Sequence, residues 1–339
     1  MSNKISIAID AMGGDNSPDK IIKGIKIFLD SNKFNDDFVL NVFGDEEIIK
    51  TKMKILKMDL SKIRIINSIK TVSDDESPMT AVKNSKGTSM WNCIQHQLDG
   101  KSDVSLSAGN TGVLLVISRM ILKMMNEVSK PALAGLWPSK KGMSVVLDLG
   151  ANIECDEKNL VDFSEMGAAL YKSIFPDQRP CISLLNIGSE EIKGTEVLKK
   201  TYSKLKSLSN DKNFLFNGYI EGNKLMDGET NVIVTDGFTG NVALKTAEGT
   251  ANFITDELKK VLGGSIMGKL SSLLNISNLK KFKKRLDPRL YNGAIFIGLN
   301  NPVVKSHGGT DYIGFSNSLD VCNRIIKGNL IDKIKDNIK

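Results

Sequence analysis

Histidine is almost absent: only His96 and His307 occur in 339 residues. They lie far apart, and neither H-E-x-x-H nor D-x-D-x-D-G spacing is present, so no metal site is expected. The four cysteines, Cys93, Cys155, Cys181 and Cys322, show no C-x-x-C pair, which argues against a zinc site and a disulfide framework and for a reducing cytoplasm. Long apolar runs are missing too. The first, Ile5 to Ile9, stops at Asp10, too short for a signal sequence or spanning helix, so a soluble protein is expected, with surface attachment to a membrane left open. Aromatics make up 6% and no nucleic-acid module is visible, which ranks nucleic acid last among partners. The chain lacks G-x-S-x-G, G-x-x-x-x-G-K-[ST], and G-x-G-x-x-G after its first strand. A nucleophilic serine, nucleotide hydrolysis and ordinary dinucleotide redox are therefore disfavoured.

What is present is an ordinary globular composition, 41% hydrophobic and 25% charged, with a net charge of +7. The excess is uneven, since Lys280, Lys281, Lys283, Lys284 and Arg285 cluster late in the chain. The length suits one large α/β domain or two intimate lobes. With no repeat or low-complexity linker, residues 1–339 read as a single α/β domain.

Short β-branched runs alternate with helical patterns throughout. Strands are expected at 5–10, 38–43, 63–67, 103–107, 132–137, 143–148, 182–185, 213–217, 232–234 and 302–306. Ser17-Pro18 and Ser77-Pro78 read as helix starts, the second helix running to about Leu98. Such alternation predicts a largely parallel sheet with helices on both faces.

Six strand ends carry glycine with Asp, Asn, Ser or His: Asp10 with Gly13, Gly14 and Asp15; Ser107 with Gly109, Asn110, Thr111 and Gly112; Asp148 with Gly150 and Asn152; Asn186 with Gly188; Asp236 with Gly237 and Gly240; and His307 with Gly308. Parallel strand ends share one rim, so these tips are expected to converge on one cleft. Rich in backbone N–H donors and in asparagines, including Asn241, with Lys193, Lys245 and Lys305 nearby, the cleft suits phosphate binding and oxyanion stabilisation without a covalent enzyme intermediate. Cys155, between Glu154 and Asp156, is expected to have a raised pKa and Cys181 to be buried, so neither suits a nucleophile.

The ordered series IDAMGGD, SAGNTG, KPALAG, LDLGAN, NIGSEEIKG, DGFTGNVALKTAEG and KSHGG, spread from residue 5 to about 325, resembles the PlsX family of bacterial phosphate acyltransferases. The resemblance implies a Rossmann-like three-layer αβα sandwich related to phosphotransacetylases and isocitrate dehydrogenases. It implies conversion of fatty acyl–[acyl carrier protein] and inorganic phosphate to acyl phosphate and free carrier protein, with no organic cofactor. It further implies a homodimer at the inner face of the membrane, supplying a PlsY-type membrane glycerol-3-phosphate acyltransferase in phospholipid synthesis. An acyl-coenzyme A phosphotransacetylase and a non-enzymatic carrier-protein scaffold are the alternatives.

Lys193, Asn241 and His307 are the expected catalytic residues: Lys193 with the glycine-loop N–H groups on phosphate, Asn241 on the oxyanion, and His307 orienting phosphate or protonating the thiolate. The remaining tip residues are expected to bind phosphate or substrate; Asp10, Asp148 and Asp236 could instead orient lysines or cap loops. An amphipathic helical hairpin is expected at about 257–286. Ile266, Leu270, Leu273 and Leu274 share a helical face there, followed by the basic cluster, an arrangement suited to membrane contact, carrier-protein docking or a dimer interface.

Overall fold

The computed structural model of the chain describes residues 4–31, 38–72, 78–209, 214–265, 267, 271 and 273–338. Its strands are β1 (Ile5–Asp10), β2 (Phe38–Gly44), β3 (Ile63–Asn67), β4 (Val104–Ser107), β5 (Ala132–Ser139), β6 (Gly142–Leu147), β7 (Cys181–Asn186), β8 (Leu215–Glu221), β9 (Val232–Val234), β10 (Ala294–Ile297) and β11 (Val303–Lys305). They form one sheet in the order β3-β2-β1-β4-β11-β10-β5-β6-β9-β7-β8. The helices are α1 (Asp19–Asp30), α2 (Glu46–Ile55), α3 (Pro78–Asn84), α4 (Ser89–Leu98), α5 (Thr111–Leu122), α6 (Glu157–Ile174), α7 (Glu196–Leu208), α8 (Gly237–Gly263), α9 (Ile276–Arg285), α10 (Tyr312–Lys327) and α11 (Leu330–Ile338).

The three layers follow from the period-two alternation of the strands. Val145, Leu147, Val232 and Val234 join a core shared with α1, α6 and α10, whereas Val146 and Ile233 face a second core against α4 and α5. Phe163, Phe296 and Phe315 are fully buried among these layers. The sheet is mostly parallel, as expected, but its direction changes along its width.

β10 pairs antiparallel with both β11 and β5, and β5 makes an antiparallel hairpin with β6. Thus β1, β2, β3, β4, β11 and β5 run one way, and β10, β6, β9, β7 and β8 run the other. The six strand-end tips therefore do not share one rim. They form two sets of three, one after β1, β4 and β11, the other after β6, β7 and β9.

Three local expectations also change. The helix expected from 78 to 98 is two, because Gly87 takes a left-handed φ of 83° and Thr88 then caps α4, its side chain accepting from Trp91 N–H at 3.2 Å. Ser17 does not cap α1; its hydroxyl donates to the Gly13 carbonyl at 2.6 Å, and Pro18 occupies the cap position. Ser77 lies outside the described residues. Finally, β10 and α11 add elements that local periodicity did not signal.

Helix α8 is 27 residues long, about 40 Å at 1.5 Å per residue, and only Gly237 and Gly240 of it are buried. The hairpin segment expected at 257–286 is the far end of α8 followed by α9. Leu273 and Leu274 are exposed, while Ile266 and Leu270 lie outside the described residues. Lys280, Lys281, Lys283 and Lys284 are exposed on α9, and Arg285 turns back to donate to the Ser139 carbonyl at 3.3 Å. Among the described residues no helix is long and apolar enough to cross a membrane.

Candidate active site

The first set of tips is held together by Asp10. Its buried carboxylate accepts from Ser107 Oγ and Ser89 Oγ, both at 2.7 Å, and from Met12 N–H at 3.2 Å. Ser107 Oγ in turn accepts from Gly109 N–H at 3.1 Å. One carboxylate thus ties the ends of β1 and β4 to the start of α4. The loops touch so closely that a Cβ on Gly13 would lie 2.6 Å from Gly109 N, which makes glycine a steric requirement there. Asn110 caps α5, its Oδ1 accepting from Val113 N–H at 3.1 Å, and Thr111 opens that helix.

Two buried lysines serve this set. Lys305 donates to the Ala108 carbonyl at 3.3 Å and to the Ser306 carbonyl. Lys20, on α1, donates to the Gly308 carbonyl, which also accepts from Asp15 N–H at 3.2 Å. Sequence reading passed over Lys20. A lysine in the first turn of an amphipathic helix looks like a solvated charge, and only its burial, at 5% exposure, distinguishes it.

His307 follows β11, its backbone N–H donating to Asn292 Oδ1 at 2.9 Å. Its Nδ1 accepts from Gly309 N–H at 3.1 Å. A neutral ring that accepts at Nδ1 carries its proton on Nε2. Loss of hydration lowers the pKa of His307, aided by the ammonium groups of Lys245, Lys305 and Lys20 and opposed by Glu248.

The second set is organised by Asp148. It is fully buried; Oδ1 accepts from the N–H groups of Leu133, Gly150 and Ala151 at 3.0, 3.2 and 3.0 Å, and Oδ2 from Asn152 N–H and Nδ2 at 2.7 and 2.8 Å. Burial pushes this carboxyl's pKa up, against the pull of those donors. Asn152 also donates to the Pro131 carbonyl at 2.7 Å, so its amide serves the loop itself. Asp236 caps α8, accepting from Thr239 N–H and Oγ1, each at 2.8 Å. Gly237 N–H donates to the Asn152 carbonyl at 2.7 Å, which clamps the start of α8 to the loop after β6.

Asn241 stands exposed on the first turns of α8. A Cβ on Gly150, whose φ is 129°, would lie 3.6 Å from its side chain. Lys245, one turn further, pairs with Glu248 at 2.8 Å. Lys245 and Glu248 of α8 are among the charged groups that bear on the His307 ring.

The third member of the second set stands apart. Asn186 follows Leu184, which pairs with Val234 next to the Asp236 tip. Its Nδ2 donates to the Lys193 carbonyl at 3.2 Å, and its buried Oδ1 has no hydrogen-bond partner among the described residues. Gly188 lines the same loop, close to the Lys193 side chain. Lys193 itself is exposed, and no described contact brings its ammonium to His307 or Asn241.

Cys155 lies beside this second set, and its thiol is pushed up to about 11 by burial and by the Asp148 and Asp236 carboxylates. The expected elevation is present, but burial is its main cause, and the carboxylates that add to it are Asp148 and Asp236 instead of Glu154 and Asp156. Cys181 is half-buried, its thiol raised by loss of hydration. No thiolate nucleophile is poised at either position.

Solved structures share this architecture. The EutD phosphotransacetylase from Staphylococcus aureus matches with a TM-score of 0.63 at 15% identity, covering 96% of this chain and 95% of that one. A branched-chain phosphotransacylase from Enterococcus faecalis matches with a TM-score of 0.59 at 12% identity, covering 95% and 99%. The fold is therefore of the phosphotransacetylase-like α/β class. Within it, residues 5–333 match the model of the Fatty acid synthesis protein family, and the chain belongs to that family. It is 62% identical to the Phosphate acyltransferase of Pelagibacter ubique over the full length of both chains. It is also 41% identical to that of Parvibaculum lavamentivorans, over 98% of this chain and 91% of that one.

Proposed function

We propose that this chain, a phosphate acyltransferase by its family, takes its acyl group from fatty acyl–[acyl carrier protein] and passes it to inorganic phosphate. A phosphate oxygen attacks the thioester carbonyl, a C–O bond forms, the C–S bond breaks, and the carrier leaves as its free thiol after taking a proton. The products are acyl phosphate and carrier protein. The observation that carries this reading is the join between the start of α8 and the loop after β6, where Gly237 N–H donates to the Asn152 carbonyl at 2.7 Å and Asn241 stands exposed beside Gly150.

That region combines what the reaction demands. Phosphate brings two negative charges to a neutral thioester, and Lys245 and Lys305 offset them. A neutral His307 offers Nε2–H to a phosphate oxygen. Asn241, exposed at the start of α8, is the proposed donor to the oxyanion, a role commonly worth about 3 kcal/mol. Lys193 keeps its proposed role on phosphate as an exposed, long side chain that would have to reach the site from the neighbouring tip. The carboxylates of Asp10, Asp148 and Asp236 shape the loops, since protein donors already engage their oxygens.

The exposed apolar residues of α8 and of the segment before α9, with Phe253 67%, Val261 71% and Leu274 79% exposed, are suited to a homodimer and to peripheral attachment at the inner membrane face. The basic residues Lys280 to Arg285 on α9 suit anionic headgroups or an acidic carrier protein. A PlsY-type membrane acyltransferase would consume the acyl phosphate, and the cytoplasm is the expected compartment.

Hydroxylamine trapping after mixing the purified protein with phosphate and either acyl–carrier protein or acyl-coenzyme A tests the reading. Hydroxamate formed preferentially from the carrier-protein donor is expected. Equal or better use of acyl-coenzyme A would make the enzyme an ordinary phosphotransacetylase, and none from either donor would leave a scaffold.

A further inference from the structure

Lys20 and Gly308 are 288 positions apart in sequence, yet the Lys20 ammonium donates to the Gly308 carbonyl. The N–H of the same peptide group, that of Gly309, donates to His307 Nδ1 at 3.1 Å. A single peptide plane therefore has a buried cation on its oxygen and the imidazole on its nitrogen. Hydrogen bonds in such a chain polarise one another, so a cation on the oxygen makes the N–H a stronger donor. We propose that Lys20 is a positioning residue: through the Gly308–Gly309 peptide it fixes the His307 ring with the proton on Nε2, directed to the anionic substrate.

Packing supports a built relay. Lys20 belongs to the buried face of α1 with Ile21, Ile22, Gly24 and Ile25. Gly24 has no room for a side chain, because a Cβ there would lie 2.9 Å from both Phe315 Cδ1 and the Tyr312 carbonyl of α10. This pins α1, and Lys20 with it. On the other side a Cβ on Gly14, whose φ is 80°, would lie 2.9 Å from Lys20 Nζ. The ammonium thus has little freedom to leave the Gly308 carbonyl. The second acceptance by that oxygen, from Asp15 N–H at 3.2 Å, holds the peptide plane from the glycine loop. Buried lysines pay a desolvation cost that a solvated lysine avoids, which a role in the site explains.

The charged groups around the ring are Lys245 and Glu248 from α8, Lys305 from β11 and Lys20 from α1, with Asp15 beside Gly309. Removing the Lys20 cation leaves Glu248 less opposed. His307 should then titrate at higher pH and lose its preference for the Nε2–H form.

The test is nitrogen NMR of the ring in the full chain, with H96Q removing the only other histidine signal. The parent is expected to hold the Nε2–H tautomer above its titration point. K20M is expected to give a mixture of tautomers and a higher titration point, with turnover at saturating phosphate down tenfold or more. K20Q, which restores a donor without the charge, is expected to recover the tautomer preference but not the titration point. An Nδ1–H tautomer in the parent would overturn the proposal without any Lys20 variant, as would an unchanged ring in K20M. The catalytic consequence rests on the role proposed above for His307. Full activity of H307A would remove that role and leave the relay standing, whereas an uncoupled ring would remove the relay alone.

Discussion

A Cβ on Gly240 would lie 1.9 Å from the backbone carbonyl oxygen of Asp148. The first turn of α8 therefore rests directly on the end of β6, and Asn241 inherits its position from that contact. The obstructing atom is backbone, which cannot rotate away. G240A should lose about 1–3 kcal/mol of stability, the usual cost of overpacking, and should lose activity beyond what the stability change explains. Denaturant unfolding alongside turnover checks this; a variant with parental stability and rate would show that the helix start can move freely.

Asp148 offers two oxygens to five N–H donors. An amide keeps the shape but replaces one acceptor with a donor, leaving at least two N–H groups facing another N–H. D148N should therefore be less stable by about 2–6 kcal/mol, at roughly 1–3 kcal/mol for each of two unsatisfied buried groups. A fall in the melting temperature measures it.

His307 titrates below its ordinary value, so between its folded value and about 6.5 the unfolded chain binds more protons than the folded one. Stability contributed at this site is complete above that window and is lost as pH falls through it. Comparing the parent with H307Q at pH 7.5 and pH 5.5 should show the parent losing more stability on acidification. K245M should narrow that difference by removing a cation and leaving Glu248 opposed only by Lys305 and Lys20. The opposite sign would mean that the ring gains an anionic partner on folding.

With the Cys155 thiol raised to about 11, an acyl-enzyme there is not expected. Intact mass after incubation with the thioester donor in the absence of phosphate should be that of the unmodified chain, and C155S should retain parental turnover. An added acyl mass would contradict direct attack by phosphate.

Much of this arrangement was legible in the sequence. Ile5, Ile7 and Ile9 alternating into Asp10 marked a strand and its tip, and the Gly237–Gly240 spacing marked a tight helix start. Strand direction was not legible, because β10 is four apolar residues with no alternation and its antiparallel pairing depends on partners far away in sequence. The same distance hid Lys20, whose role depends on Gly308 and not on its neighbours. The Asp10, Asp148 and Asp236 tips were recognised as polar and glycine-rich, but whether a carboxylate faces substrate or its own loop depends on where the N–H groups point. That is settled only by the folded backbone.

The central claim is that phosphate attacks an acyl thioester beside Asn241 and His307. Phosphorus NMR of acyl phosphate formed from acyl–carrier protein, followed in parallel for the parent, N241A and K193A, tests it most directly. The account predicts rapid product formation by the parent and rates lower by roughly 100-fold or more in both variants, which keep the parental melting temperature. Parental rates in the two variants, or no acyl phosphate from the parent enzyme, would contradict it.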